Sequence, residues 1–390
     1  MLDPIWLLLL LPLAAVSGWI AGRRDRAGGS GQSTGDIPSD YFKGMNFLIN
    51  EQPDKAIDVF IKVLEVDTET VETHLMLGNL FRRRGEVERA TRVHQNLIAR
   101  PNLDRDQRSN ALYELAQDYL KAGLLDRAEN LLLEYAEVER KSEPALRHLL
   151  YIYQQEKEWD QAIETARRLA RVSGTSTDEM IAHFYCEKAD ESIKQGEPVN
   201  AENLLKQAQA ADKGSVRATI MQGDIARQGG DCQKALKLWL MVEKQDPQYL
   251  PEVLDRLKQC YDELDDTESW EAFLRKLLQG DASIPVMLTL ADEIETRQGV
   301  DEARKFITEE LRRRPSMSGL AYLVRLTGIQ AHGQAREDMQ ILQGMIDKAV
   351  HSRHGYVCQH CGFRAKALHW QCPGCKRWNT VKPVWDEVCD

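Results

Sequence analysis

Between residues 37 and 350 the sequence carries almost no strand signal. Short runs of alternating apolar and polar residues are missing there, which excludes a sandwich, a barrel or a doubly wound sheet as the body of the protein. An excess of positive charge is also missing: 51 Lys and Arg stand against 61 Asp and Glu, for a formal net charge of −10. A general nucleic-acid binder needs a basic face to release phosphate counterions, so nucleic acid is not an expected partner. No phosphate-binding loop, Gly-rich dinucleotide turn or nucleophile elbow occurs, and no catalytic constellation is legible. The chain reads as a non-enzyme. Four of its eight cysteines, Cys186, Cys232, Cys260 and Cys389, are scattered without a disulfide framework. The first three read as apolar filler in helices. Together with a thiolate metal site, this implies a reducing compartment.

What the sequence has in concentration is the other four cysteines. Cys358-x-x-Cys361 and Cys372-x-x-Cys375 stand ten residues apart. Two such knuckles supply the four thiolates of a tetrahedral ion, preorganised by tight turns at Cys361-Gly362 and Pro373-Gly374. Redox catalysis from a single Cys-x-x-Cys would need a βαβ setting, which is absent. One metal ion is expected. Zinc is favoured, and iron fits the same sulfurs. His351, His354, His360 and His369 crowd the tail, but a full set of four thiolates leaves them no vacancy. Residues 41–350 carry about −12, whereas 351–390 carry +3 with the cysteines counted neutral. Gly355–Val357 leads into the first knuckle, Phe363–Trp370 links the two and Trp378–Val384 leads out. This pattern resembles a rubredoxin or zinc-ribbon module, with Tyr356, Phe363, Trp370 and Trp378 expected to cover the metal as a miniature core.

At the other end, residues 5–22 contain no charge, the lower length limit for a bilayer-spanning helix. Trp6 and Trp19 sit near its two ends. Arg23, Arg24 and Arg26 follow it, which places the N-terminus outside and the bulk of the chain in the cytoplasm. A cleaved leader around Ala14–Gly18 is the rival reading, but leaders carry their positive charge before the apolar run. Residues 1–22 are thus read as a transmembrane anchor and 23–36 as a cytoplasmic linker rich in Gly and Ser.

Residues 37–350 are helical throughout and repeat. Ala56 and Ala90 are 34 residues apart, as are Ala128 and Ala162, and Ala201 and Ala235; Ala303 follows at twice that interval. Phe47, Phe81, Tyr119 and Tyr153 stand nine before their alanines, and Gly44 and Gly78 twelve before, with Ala116 in register. Steps of 38 and 39 residues, Ala90 to Ala128 and Ala162 to Ala201, imply longer loops. A 34-residue beat of this kind resembles the tetratricopeptide repeat: two amphipathic helices per unit, each unit burying its apolar face only by stacking on the next. The expected fold is all-α, a tetratricopeptide α-solenoid of about nine units, the last degraded at about 317–350. Residues 351–390 form the Cys₄ module. The first helices of the units would line a binding face, and repeat register places Asn79, Arg82 and Arg83 on one such helix and Tyr113, Gln117 and Lys121 on the next. His74, His94, His148 and His183 lie inside repeat helices and read as packed or surface residues.

The tail has three competing roles. It could clip onto the last repeats or a partner, carry electrons through iron, or touch nucleic acid through Arg364, Lys366, Lys376, Arg377 and Lys382. The first is preferred. A rubredoxin-like iron protein on a repeat scaffold is the alternative function.

The order of parts is itself informative: an anchor ending in Gly22-Arg23-Arg24, repeats, then the knuckle pair. With Gly78-Asn79-Leu80-Phe81, Ala182–Cys186 and the Tyr356–Phe363 string, it resembles the lipopolysaccharide assembly protein B family of Gram-negative bacteria. The resemblance implies a non-enzymatic adaptor at the inner membrane. Such an adaptor brings the deacetylase of the committed lipid A step to a membrane-anchored AAA+ protease and answers to a periplasmic-domain membrane protein that senses lipopolysaccharide. The residues leave open whether lipopolysaccharide itself binds.

Overall fold

A computed structural model describes residues 39–66, 70–139, 142–280, 283–351 and 355–384. The proposed anchor and linker, 1–36, and Cys389 lie outside them. No helix among the described residues is long and apolar enough to cross a membrane.

The helices come in pairs. In chain order they are α1 (Ser39–Ile49) with α2 (Pro53–Val66), α3 (Val71–Arg83) with α4 (Val87–Ile98), and α5 (Arg105–Ala122) with α6 (Leu125–Val138). Next come α7 (Glu143–Glu156) with α8 (Trp159–Ser173), and α9 (Asp178–Lys194) with α10 (Pro198–Ala211). In the following unit α11 (Val216–Gln228) pairs with α12 (Cys232–Trp239), which continues as the short α13 (Val242–Gln245) and a 3-10 turn, Pro247–Tyr249. The last three pairs are α14 (Pro251–Glu263) with α15 (Thr267–Gln279), α16 (Ile284–Gln298) with α17 (Val300–Arg313), and α18 (Met317–Gln330) with α19 (Gln334–His351). This is a tetratricopeptide solenoid.

The 34-residue beat has a steric cause. Helix partners in a unit touch where a small residue on the first faces a large one sixteen positions later. A Cβ on Gly44 would lie 2.6 Å from the Phe60 ring, on Gly78 2.2 Å from His94, and on Gly223 2.2 Å from Trp239. The later alanines Ala56, Ala90, Ala128, Ala162, Ala201, Ala235 and Ala303 are all fully buried. Beside the position where the next alanine would fall, 269, Trp270 is fully buried. The long steps are taken up mainly by helix rather than loop, contrary to expectation: α5 has 18 residues and α9 has 17, against 13 in α3 and α11. Asp104 begins α5 with a reciprocal capping box to Gln107, which satisfies backbone N–H groups that a helix start leaves unpaired. Asp265 and Asp266 form a turn, the first with a positive φ and the second capping α15.

The described residues divide into two compact units, one up to Tyr135 and one from Ala136. The first is built on Ala56, Ile57, Phe60, Leu77, Leu80, Phe81 and Ala90. The second has a core running from Val216 to Leu326, with Trp239, Tyr249 and Trp270 at its centre. Each fully buried large apolar side chain there contributes roughly 1.5–3 kcal/mol. Cys186, Cys232 and Cys260 are buried thiols in these helices.

The second unit also contains the C-terminal module, a three-stranded antiparallel sheet in the order β2-β1-β3: β1 (Tyr356–Cys358), β2 (Arg364–Ala365) and β3 (Val381–Pro383). Such small strands cannot bury a core of their own, so the cysteine cluster takes that place.

Candidate metal centre and its docking face

Each knuckle closes by the same pair of backbone hydrogen bonds. Gly362 N–H donates to Cys358 O (2.9 Å) and Lys376 N–H to Cys372 O (2.9 Å), while Cys358 and Cys372 donate to Phe363 O and Arg377 O, both at 2.8 Å. The residue after each second cysteine is left-handed, Gly362 at φ +74° and Lys376 at φ +59°. The first suits glycine; the second places a side chain in a backbone region it disfavours by about 1–2 kcal/mol.

The turns bring the four sulfurs of Cys358, Cys361, Cys372 and Cys375 within 4.8 Å of one another. Cys358 Sγ is 3.8 Å from Cys375 Sγ, and Cys361 Sγ is 3.7 Å from Cys372 Sγ. A tetrahedron with metal–sulfur bonds of about 2.3 Å has edges of about 3.8 Å, so the cage fits an ion the size of zinc. The separations are far beyond a disulfide bond, about 2.05 Å. Burial raises the Cys358 thiol, but the Thr380 hydroxyl and the backbone N–H groups of Cys361 and His360 outweigh it and bring the group down to about 6. Burial pushes Cys372 up to about 12. A bound dication reverses that tendency, because a coordinating thiol loses its proton outright. The donor set therefore suits one tetrahedral, thiophilic ion, zinc or iron, held by all four cysteines.

The aromatics split into two groups. Tyr356 and Phe363 pack against the cysteine cluster. Trp370 and Trp378 instead turn to the repeats, correcting the expectation that all four cover the metal. Trp378 stacks on His183 at 4.9 Å and meets the Phe184 ring edge-on at 5.8 Å. Trp370 lies 5.1 Å from Tyr249, with the Arg217 guanidinium 5.9 Å from its ring.

Polar contacts surround this aromatic contact. Gln154 Oε1 accepts from Trp378 Nε1 (2.9 Å) and Gln371 Nε2 (3.1 Å). Glu179 accepts from Asn379 Nδ2 (2.6 Å), Glu252 from the Tyr356 hydroxyl (2.7 Å) and Asp246 from Lys382 Nζ (2.6 Å). The Tyr249 hydroxyl donates to Asn379 Oδ1 at 2.7 Å. The module thus sits on α7, α9, α11, α14 and the 3-10 turn, in the middle of the array and not on its last pairs. Of the five cations considered for nucleic acid, Lys382 is buried in this interface, while Arg364, Lys366, Lys376 and Arg377 are exposed.

His183 is 4% exposed. Burial, then the nearby charges of Arg217 and Lys382, hold its imidazole down to about 3, so it is neutral. Its Nδ1 has no hydrogen-bond partner among the described residues.

The six residues placed on the binding face of the first unit fall on α3 and α5. Three join one polar network: Arg82 donates to Asn79 Oδ1 (2.8 Å), Glu114 Oε2 (2.6 Å) and Asp118 Oδ1 (2.8 Å), and Gln117 donates to Glu114 (3.1 Å). Asp118 is fully buried and holds His94 Nδ1 at 2.6 Å. The Tyr113 ring lies 5.0 Å from Tyr135, and Arg83 and Lys121 are exposed. Glu114 and Asp118 are not singled out by the sequence, and His94 only as a packed or surface residue, although a signal exists. Arg82 precedes its two carboxylates by 32 and 36 residues, close to one repeat, and Trp159–Glu191, Lys258–Glu293 and Arg227–Glu263 follow the same rule. The docking residues Gln154, Glu179, Asp246, Tyr249 and Glu252 had no comparable signal, being 104 to 224 positions from their partners.

Known proteins place this arrangement. The rubredoxin metal binding domain family matches residues 356–383, and tetratricopeptide repeat families match 73–108 and 186–249. Lipopolysaccharide assembly protein B of Escherichia coli (strain K12) is 40% identical over 379 residues, 97% of each chain. The protein of the same name from Haemophilus influenzae (strain ATCC 51907 / DSM 11121 / KW20 / Rd) is 35% identical over 388 residues, 97% of this chain and 98% of that one. A solved structure of Naa15/Naa10 bound to HypK-THB overlays at a TM-score of 0.42 and 13% identity, covering 79% of this chain and 46% of that chain. Repeats, module and nearly the whole length align with the same pair of bacterial relatives, and the chain belongs to the lipopolysaccharide assembly protein B family.

Proposed function

We propose that this protein is a non-enzymatic adaptor that regulates lipopolysaccharide assembly. It is held at the bacterial inner membrane by residues 1–22, with its N-terminus periplasmic and its repeats and module in the cytoplasm. It brings the deacetylase of the committed lipid A step to a membrane-anchored AAA+ protease for degradation, and a periplasmic-domain membrane protein that senses lipopolysaccharide governs it. The observation that carries the reading is the alignment over 97% of the chain with relatives named for lipopolysaccharide assembly. Its repeat fold suits it to hold other chains. Confinement beside one membrane raises the effective concentration of two weakly interacting partners without any new contact. In the first unit, Asn79, Arg82, Arg83, Tyr113, Gln117 and Lys121 are the partner-facing residues of this proposal. The bound ion is taken to be zinc with a structural role.

The test removes residues 1–22 in cells that lack the full-length chain. The expected result is a soluble, folded array that leaves the deacetylase at high level. Restoration of normal deacetylase turnover by the truncated form at ordinary expression would overturn the tethering role.

A further inference from the structure

The repeat face beneath the module is built mainly of acceptors. Gln154, Glu179, Asp246 and Glu252 accept from donors of the module, while the Tyr249 hydroxyl donates in the other direction, to Asn379 Oδ1 and Val381 O. The charges do not balance. Three carboxylates on the face meet a single module cation, Lys382; Glu179 and Glu252 are met by a neutral amide and a neutral hydroxyl. Arg217, the face's own cation, is already paired with Glu187 at 2.7 Å. Beside these carboxylates lie two aromatic seats. His183 and Phe184 hold one indole, and Tyr249 holds the other.

We propose that this face is a recognition site for a short segment of a partner protein bearing an aromatic residue followed by cations, with the module's own residues 378–382 as its resident, displaceable occupant. The module segment has that chemistry in dilute form, one tryptophan and one lysine. A partner segment with a second cation satisfies a second carboxylate by a charge-assisted hydrogen bond, which is roughly twice as strong as a neutral one. The resident segment keeps its shape through the metal module. Gln359 N–H donates to Thr380 O at 2.8 Å, Thr380 Oγ1 lies 3.3 Å from Cys358 Sγ, and Val381 belongs to the cysteine core. Occupancy of the face is thereby linked to the integrity of the Cys₄ site.

The experiment measures fluorescence anisotropy of a labelled nonapeptide with the sequence of residues 376–384. It is titrated with the zinc-loaded full chain and with the full chain carrying Trp378→Ala and Lys382→Ala, which keeps all four cysteines. Hydrogen exchange in α9 and α14 reports release of the module. The peptide is expected to bind the double variant at least about tenfold more tightly than the unaltered chain, because an occupied site presents only its open fraction. A peptide carrying Asn379→Lys should bind the variant roughly threefold to tenfold more tightly than the parent at low salt, and one carrying Trp378→Ala should lose most of its affinity. Equal binding to both proteins, indifference of the peptide to these changes, or a module that stays docked in the variant would each overturn the proposal. Binding is read directly, so the outcome is independent of whether the protein promotes turnover of a client.

Discussion

Acidification should loosen the metal module from the repeats through one side chain. His183 is 4% exposed beneath Trp378 and held down to about 3 by burial and by the charges of Arg217 and Lys382. When the module leaves, the imidazole meets water and returns toward its ordinary value of 6.5. The docked form therefore binds fewer protons than the released form at every pH between about 3 and 6.5. His183's contribution is complete above 6.5 and is lost progressively as the pH falls below it. The slope reaches about 1.4 kcal/mol per unit, and from pH 7 to 5.5 the loss integrates to about 1.3 kcal/mol, roughly a ninefold rise in the released-to-docked ratio. Protein labelled with 5-fluorotryptophan offers the assay. Fluorine resonances of Trp370 and Trp378 report docking during a urea titration at each pH. The control is His183→Phe, which keeps a ring under Trp378 but cannot titrate. Protonation of the cysteines affects both proteins alike, so the difference isolates the imidazole. Identical pH shifts in the two proteins would refute the reasoning.

Three further outcomes follow from the packing. Cys358→Ser removes one of four thiolates and should release the ion, so that metal analysis falls from about one ion per chain to well below half, with loss of exchange protection in 355–384; a metal-free tail that stays protected would contradict the structural role. Gly223→Ala places a Cβ 2.2 Å from the Trp239 indole nitrogen and should destabilise the second unit by about 1–3 kcal/mol in urea unfolding, the usual effect of overpacking. Asp118→Ala leaves the buried His94 Nδ1 without its carboxylate, while Arg82 keeps Glu114, and should cost the first unit about 1–3 kcal/mol, measured by the same titration.

The sequence alone settled the repeat and the clustering of the four cysteines, because both rest on local spacing. A small residue that must face a large one sixteen positions later leaves a periodic trace, and two Cys-x-x-Cys turns bring their thiolates together whatever surrounds them. Repeat register also reached Asn79, Arg82 and Gln117 in α3 and α5, but not Glu114 and Asp118, the carboxylates of their network. The docking of the module could not be read in this way. Trp378 on Gln154 and His183, Lys382 on Asp246 and Tyr356 on Glu252 join residues 104 to 224 positions apart, and no period relates them. Whether Trp370 and Trp378 cover the metal or the repeats, and whether Lys382 is a solvated cation or a buried one, depends on which repeat face the module meets. Only the tertiary structure decides that, because the choice is made by complementary surfaces brought together by stacking many units and not by any pattern within the chain.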